Sequence, residues 1–239
     1  MPKIKNLCTA CEESFSVDGP ISEEALQRVL TILDKIRPSD VGLEQEAYVA
    51  RNWNNPSRDS NGRREPNGTD QDMPPIKYMH IHECETFSMG IFCMPPSSII
   101  PLHDHPGMTV LSKLLYGKLH VESYDWIDVN DQTEQLKARP AKLFKDCEMS
   151  RPQTTVLFPD RGGNIHTFRA ITPCAVFDVL CPPYLPGVGR DCSYFKKSSL
   201  NESPAPNCPE VVWLDELEGH QPPKGFSVTS GSYKGPIIR

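Results

Sequence analysis

No stretch of this chain is apolar for long enough to cross a membrane, and no apolar h-region follows its first residues. Neither a spanning segment nor a secretory leader is expected. The nine cysteines are odd in number and lack the spacing of a disulfide scaffold, so reduced thiols are the expectation. Basic residues are in deficit: 25 Lys and Arg against 31 Asp and Glu give a formal charge of -6. That balance disfavours direct nucleic-acid binding and is compatible with recognising a neutral or basic peptide terminus. No internal repeat or low-complexity tract is present. Cys8-x-x-Cys11 has no second Cys-x-x-Cys or His pair at finger spacing, so it reads as a coincidental surface pair. These absences predict a protein of the cytoplasm and nucleus.

What remains is a turn-rich chain of 239 residues, 38% of them hydrophobic, with 24 prolines. That is enough to bury one substantial core. Ala25, Leu26, Val29, Leu30, Leu33 and Ile36 recur at helical intervals, with Ser22 suited to the start and Pro38 to the stop, predicting an amphipathic helix over Ser22 to Ile36. Asn52 to Pro75 is rich in Asn, Arg, Asp, Gly and Pro and reads as a connector. From Ile76 onward, short apolar or alternating runs between turn residues predict strands at Tyr78 to His82, Phe87 to Met94, Ser98 to Leu102 and Val110 to Tyr116. Further strands are predicted at Lys118 to Trp126, Thr154 to Phe158, His166 to Ala170 and Ala175 to Leu180. Polar Asp128 to Gln135 reads as a loop, and Trp213, Leu214 and Leu217 as part of a short helix before a flexible end. The organisation is then a helical segment and connector over 1–75, a catalytic domain over 76–226 and a tail over 227–239. The fold class is mainly β, an antiparallel barrel with a few peripheral N-terminal helices.

His103-Asp104-His105 carries the chemistry. Residues two apart on a strand share a face, so the two imidazoles can grip one ion while Asp104 points away. His166, after Gly162 and Gly163, is a third donor from a separate strand, and three such donors close one face of a coordination sphere and leave the other open. Among the other histidines, His80-Ile81-His82 has the same spacing but lacks the flanking Pro and Gly and reads as a surface or structural pair. His120 reads as an ordinary strand histidine and His220 as solvated.

These phrases resemble the cupin family, whose motifs run His-x-His, then usually Glu, then Gly, and later Pro-x-Gly-x-x-His. Gly117 answers the first glycine, and Pro159, Gly162 and His166 answer the second motif with slightly altered spacing. Where four-ligand cupins carry glutamate, this chain has Thr109 beside Val110, so the site reads as three neutral histidines. The segments HDHPGMTVLSKLLYGKLHVESYDW, FPDRGGNIHTFRA and FDVLCPPY bring the resemblance closer, to the plant cysteine oxidases and their relatives, the animal 2-aminoethanethiol dioxygenases. It spans about Ile76 to Phe226, with the N-terminal helical segment also similar.

The resemblance implies a double-stranded β-helix barrel and an iron(II) enzyme, with Fe(2+) on His103, His105 and His166. It also implies oxidation by O2 of the N-terminal cysteine of proteins, among them transcription factors, to the sulfinic acid, in an oxygen-sensing degradation pathway. A monomer is expected. Asp178 lies in the apolar run Ala175 to Leu180, on the face of Val176 and Leu180; it reads either as anchor for a substrate ammonium or as partner of an arginine such as Arg169. Tyr184, after Cys181-Pro182-Pro183, reads either as a hydroxyl aimed at the site or as a core-edge aromatic, and the resemblance favours function for both residues. Cys192, beside Tyr194, is a further thiol candidate near the site. A small-thiol dioxygenase acting on cysteine or cysteamine and a non-catalytic binding cupin are the alternatives.

Overall fold

The computed structural model describes residues 1–16, 19, 21–53, 75–127, 138–150, 153–198 and 211–238. Period-two alternation of short runs produces strands β1 (Ile76–Glu83), β2 (Ser88–Met94), β3 (Ile99–His103), β4 (Thr109–Tyr116), β5 (Lys118–Trp126) and β6 (Ala138–Ser150). They continue as β7 (Gln153–Leu157), β8 (Ile165–Ala170), β9 (Cys174–Cys181), β10 (Phe195–Lys197), β11 (Val211–Glu216) and β12 (Val228–Ser230). Two six-stranded sheets result, ordered β12-β1-β2-β9-β4-β7 and β10-β11-β6-β5-β8-β3. The pairings are antiparallel except β1 with β12. The sheets share a core of Leu114, Val121, Phe168 and Val176, the interior of the barrel that the sequence predicts.

The first sheet is covered on both faces, which explains why β4 and β9 are almost wholly buried. Val176 faces the interior, whereas Ala175, Phe177, Val179 and Cys181 alternate outward against the helices α1 (Lys3–Ser14), α2 (Glu23–Leu33) and α3 (Glu44–Arg51). Ser22 caps α2 by accepting from Ala25 N at 3.2 Å. At its other end, buried Lys113 of β4 donates to the carbonyls of Leu33 at 2.8 Å and Asp34 at 2.6 Å. A cation there satisfies carbonyls left over by the helix and sits at the negative end of its dipole.

Four expectations change. The α2 helix stops at Leu33, although Ile36 stays buried in the turn that follows. Val211–Glu216, expected as a short helix, is a strand, because β6 offers an unpaired edge that its alternating residues fill. β6 itself has no clean alternation and owes its existence to partners on both sides, β5 and β11. Cys8 and Cys11 are buried between α1 and the barrel and are not a surface pair. The predicted Asp128 to Gln135 loop, and the connector except for its end residues, lie outside the described residues. Val228–Ser230 of the tail pairs with β1.

Candidate metal centre

His103 closes β3 and lies opposite His166 of β8 in the ladder, so their side chains are cross-strand neighbours. His105 is beyond the end of β3, in the turn that leads to β4. Its position therefore comes from loop hydrogen bonds, and the strand periodicity that suggested the pair is not what aims it. The three ring centroids form a near-equilateral triangle, 4.8 Å for His103 to His105, 4.8 Å for His103 to His166 and 4.7 Å for His105 to His166. The donor atoms all lie within 4.8 Å of one another.

Two residues missed by sequence reasoning hold this triangle. Asn164 accepts from His105 N at 3.0 Å through Oδ1, and its Nδ2 donates to the carbonyls of His105 at 2.9 Å and Phe158 at 2.8 Å. Its own carbonyl takes the His105 ring Nδ1–H at 3.1 Å. Asp125 of β5 in turn accepts from the backbone N–H groups of Gly162 at 3.0 Å, Gly163 at 2.8 Å and Asn164 at 3.0 Å. Gly163 has φ +82, and a Cβ there would sit 2.5 Å from Ser123 Oγ, so only glycine lets the loop wrap this carboxylate. The glycine pair before His166 was visible in the sequence; the carboxylate that it surrounds, 37 residues upstream of Gly162, was not.

His103 Nδ1 donates to the Pro101 carbonyl at 2.8 Å. With Nδ1–H used in this way in His103 and His105, Nε2 keeps the lone pair that a metal requires. Burial, reinforced by the neighbouring imidazoles, pushes His105 down to about 3 and His166 well below the ordinary histidine value; burial also lowers His103. The group is therefore neutral and ready to bind.

Asp104 points away from the triangle, as expected, and accepts from Ser193 N at 2.9 Å. The Tyr184 hydroxyl donates to the Asp104 carbonyl at 2.6 Å, and the ring stands 5.7 Å from that of His105. Tyr184 thus braces the metal-binding turn. Cys192 is half-buried, its thiol pushed up to about 11 by burial, and it lies between the hydroxyls of Tyr184 and Tyr194.

Asp178 enters from the opposite sheet. Its neighbours along the inner face of β9 are Val176, which packs with Phe168, and Leu180, which packs with Met108 and Tyr184. His166 is likewise one inward step from Phe168 on β8, so carboxyl and imidazole enter the same layer of the barrel. Arg169 lies on the exposed face of β8 and does not pair with Asp178. Burial lifts the Asp178 carboxyl to about 6, opposed by a hydrogen bond from Ser112, and its Oδ1 is buried without a partner. Tyr78, also unforeseen, crosses the strand position opposite Asp178: a Cβ on Gly90 would fall 2.3 Å from its ring. A cavity of about 230 Å³, lined by His166, Gly163, Ser123, Phe168 and Lys145, opens beside His166.

The remaining histidines lie elsewhere. His80 is exposed on β1 and His82 half-buried against Phe87. His120 pairs with Asp146 at 2.8 Å, and His220 is exposed beside Ser193.

The PCO_ADO family model matches residues 32–238. The chain belongs to the PCO_ADO family. It is 40% identical to plant cysteine oxidase 1 of Arabidopsis thaliana over 98% of this chain and 80% of the relative. It is 32% identical to 2-aminoethanethiol dioxygenase of Mus musculus, over 63% of this chain and 68% of that protein. An RmlC-like cupin protein from Desulfovibrio desulfuricans is also similar, at 17% identity and a TM-score of 0.33, covering 51% of this chain and 99% of that one. Three neutral imidazoles, two of them (His103 and His105) with tautomers fixed by carbonyls, fit a divalent transition metal of this family, and no carboxylate joins them among the described residues.

Asn164→Ala removes the side-chain hydrogen bonds that hold the His105 backbone and leaves the carbonyl that takes its ring Nδ1–H. We expect metal affinity, titrated calorimetrically, to fall about 10- to 100-fold with the circular dichroism of the barrel retained. Because the folded-state value of His105 is depressed, proton uptake in the folded state is pushed below the ordinary histidine range. Its ring nitrogens in the metal-free protein should therefore keep neutral-imidazole NMR shifts down to pH 5, a reading that a protonated ring would contradict.

Proposed function

We propose that this protein is an iron(II)-dependent dioxygenase that converts the N-terminal cysteine of target proteins to cysteine sulfinic acid. The observation that carries the reading is the likeness to plant cysteine oxidase 1, which runs over 98% of the chain, against 63% for the mouse 2-aminoethanethiol dioxygenase. Within the family the chain is a thiol dioxygenase; the peptide substrate and the choice of iron are our proposal. The reaction, R–SH + O2 → R–SO2H, places both oxygen atoms on sulfur and balances without a further reductant.

His103, His105 and His166 would hold the iron. Bound there, iron(II) would acidify the substrate thiol and activate dioxygen beside it. The neutral triad contributes no charge of its own, which favours an anionic thiolate as incoming ligand. Asp178 supplies the complementary recognition. An unpaired carboxylate within a barrel is costly, and the ammonium of a free N-terminus, two carbons from the thiol, satisfies it. Tyr184 and Ser193 hold the metal-binding turn, the Tyr184 hydroxyl donating to the Asp104 carbonyl and the Ser193 backbone N–H to the Asp104 carboxylate. The Cys192 thiol, held protonated by burial, flanks that brace as a neutral group. The proposed substrates are transcription factors exposing an N-terminal cysteine, oxidised in the cytoplasm and nucleus by a monomeric enzyme as a step in oxygen-dependent degradation.

A short peptide beginning with cysteine, incubated in air with the iron-loaded enzyme, should gain about 32 Da, the sulfinic stage, while its N-acetylated form does not. Oxidation of free cysteine or cysteamine alone would assign a small-thiol dioxygenase instead. Asp178→Asn should retain iron and lower kcat/KM for this peptide about 10- to 100-fold, the loss of one charge-assisted hydrogen bond. Unchanged kinetics would remove Asp178 from substrate recognition.

A further inference from the structure

A second group of metal-ligating side chains lies outside the triad, where α1 meets the barrel. Cys8 and Glu12 are four residues apart on α1, one turn along the same face. His82 of β1 faces them from the barrel. The Cys8 thiol, a Glu12 carboxylate oxygen and a His82 ring nitrogen all lie within 4.8 Å of one another. We propose that Cys8, Glu12 and His82 form a structural metal site of the zinc class, which clamps α1 to β1.

The donor chemistry selects the ion. One thiolate, one imidazole and one carboxylate are borderline donors that suit Zn2+, whereas calcium and magnesium require an all-oxygen shell. Tetrahedral zinc with bonds of about 2.0 to 2.3 Å separates its ligands by about 3.3 to 3.7 Å. Cys8 Sγ already stands 3.7 Å from Glu12 Oε1. The remaining closure asks only for small side-chain movements, because Glu12 is exposed and His82 half-buried.

Burial is graded across the cluster. Cys8 is 3% exposed and anchors the inner end, while Glu12 opens to solvent and gives an ion a route in. The His82 ring is set against Phe87, with centroids 5.3 Å apart, and Phe87 packs on Phe15 at 6.0 Å, so the imidazole is supported from behind. A fourth donor is close: Cys84 follows His82 by two residues and is an electrostatic neighbour of both Cys8 and Cys11. Its thiol spends only weak contacts on Thr86 Oγ1 at 3.3 Å and the Phe87 carbonyl at 3.6 Å. The cysteines concerned are free thiols. Cys8, one half of a Cys-x-x-Cys pair without a second such pair at finger spacing, thus finds its donor partners in space, on its own helix and on β1.

The test uses the full chain. Wild-type protein supplied with Zn2+ and then desalted should retain one equivalent that His103→Ala does not remove and that Cys8→Ala and His82→Ala do remove, by elemental analysis. Co2+ bound to His103→Ala should show the near-ultraviolet thiolate-to-cobalt absorption, and Co2+ bound to the His103→Ala, Cys8→Ala double variant should not. Alanine at position 8 preserves α1, since it is the strongest helix former. The proposal is overturned by retention of no such equivalent in the wild-type protein, or by absence of the thiolate band in His103→Ala. An equivalent of zinc that survives Cys8→Ala in the His103→Ala background, where the triad is broken, would overturn it equally.

Discussion

The arrangement of the metal centre depends on one buried-edge carboxylate, Asp125, and the three backbone N–H groups that surround it. A loop that must carry a ligand to within a fraction of an ångström cannot rely on strand pairing, because His105 is already off its strand. Asp125 instead fixes Gly162, Gly163 and Asn164 at 2.8 to 3.0 Å, and Asn164 passes that rigidity to His105 through its side chain and its carbonyl. Each link is a hydrogen bond that would be lost singly to water on the surface but is sheltered here by the barrel wall. His166 follows two residues after Asn164 and enters β8 already positioned. One carboxylate thereby coordinates two of the three ligands without touching a metal.

Charge in the barrel interior is divided between its walls. On one sheet the imidazoles are kept neutral by burial; on the other, Asp178 keeps a carboxyl whose Oδ1 has no partner. In the proposed reaction both walls would gain from the substrate, which would bring a thiolate for one and an ammonium for the other, and the proposal of an aminothiol rests on that pairing. The helices on the outer face of the first sheet close off solvent behind Asp178, and Lys113 secures α2 there by its bonds to the helix end.

Much of this was legible in the residues. The eight predicted strands are observed to within a few residues, since each is a short apolar or alternating run with its own turn residues. The triad was legible because metal-binding imidazoles flanked by Pro and Gly are rare as a pattern. The inward face of Asp178 followed from counting along β9. Other elements carry no local strand signal: β6 mixes charges with apolar residues, β11 reads as part of a short helix, and β12, of three residues, is too short to show a period.

The sequence by itself made the strands and the candidate triad of histidines legible, because strands depend on local periodicity and the triad on residue type and spacing. Only the tertiary structure decided that Asp125 and Asn164 hold His105, that Tyr184 spends its hydroxyl on the Asp104 carbonyl, and that Cys8 and Glu12 meet His82. Those contacts join residues tens of positions apart. The ladder register and the packing of α1 on the first sheet bring them within hydrogen-bond or ligand distance, and no short-range pattern along the chain encodes either.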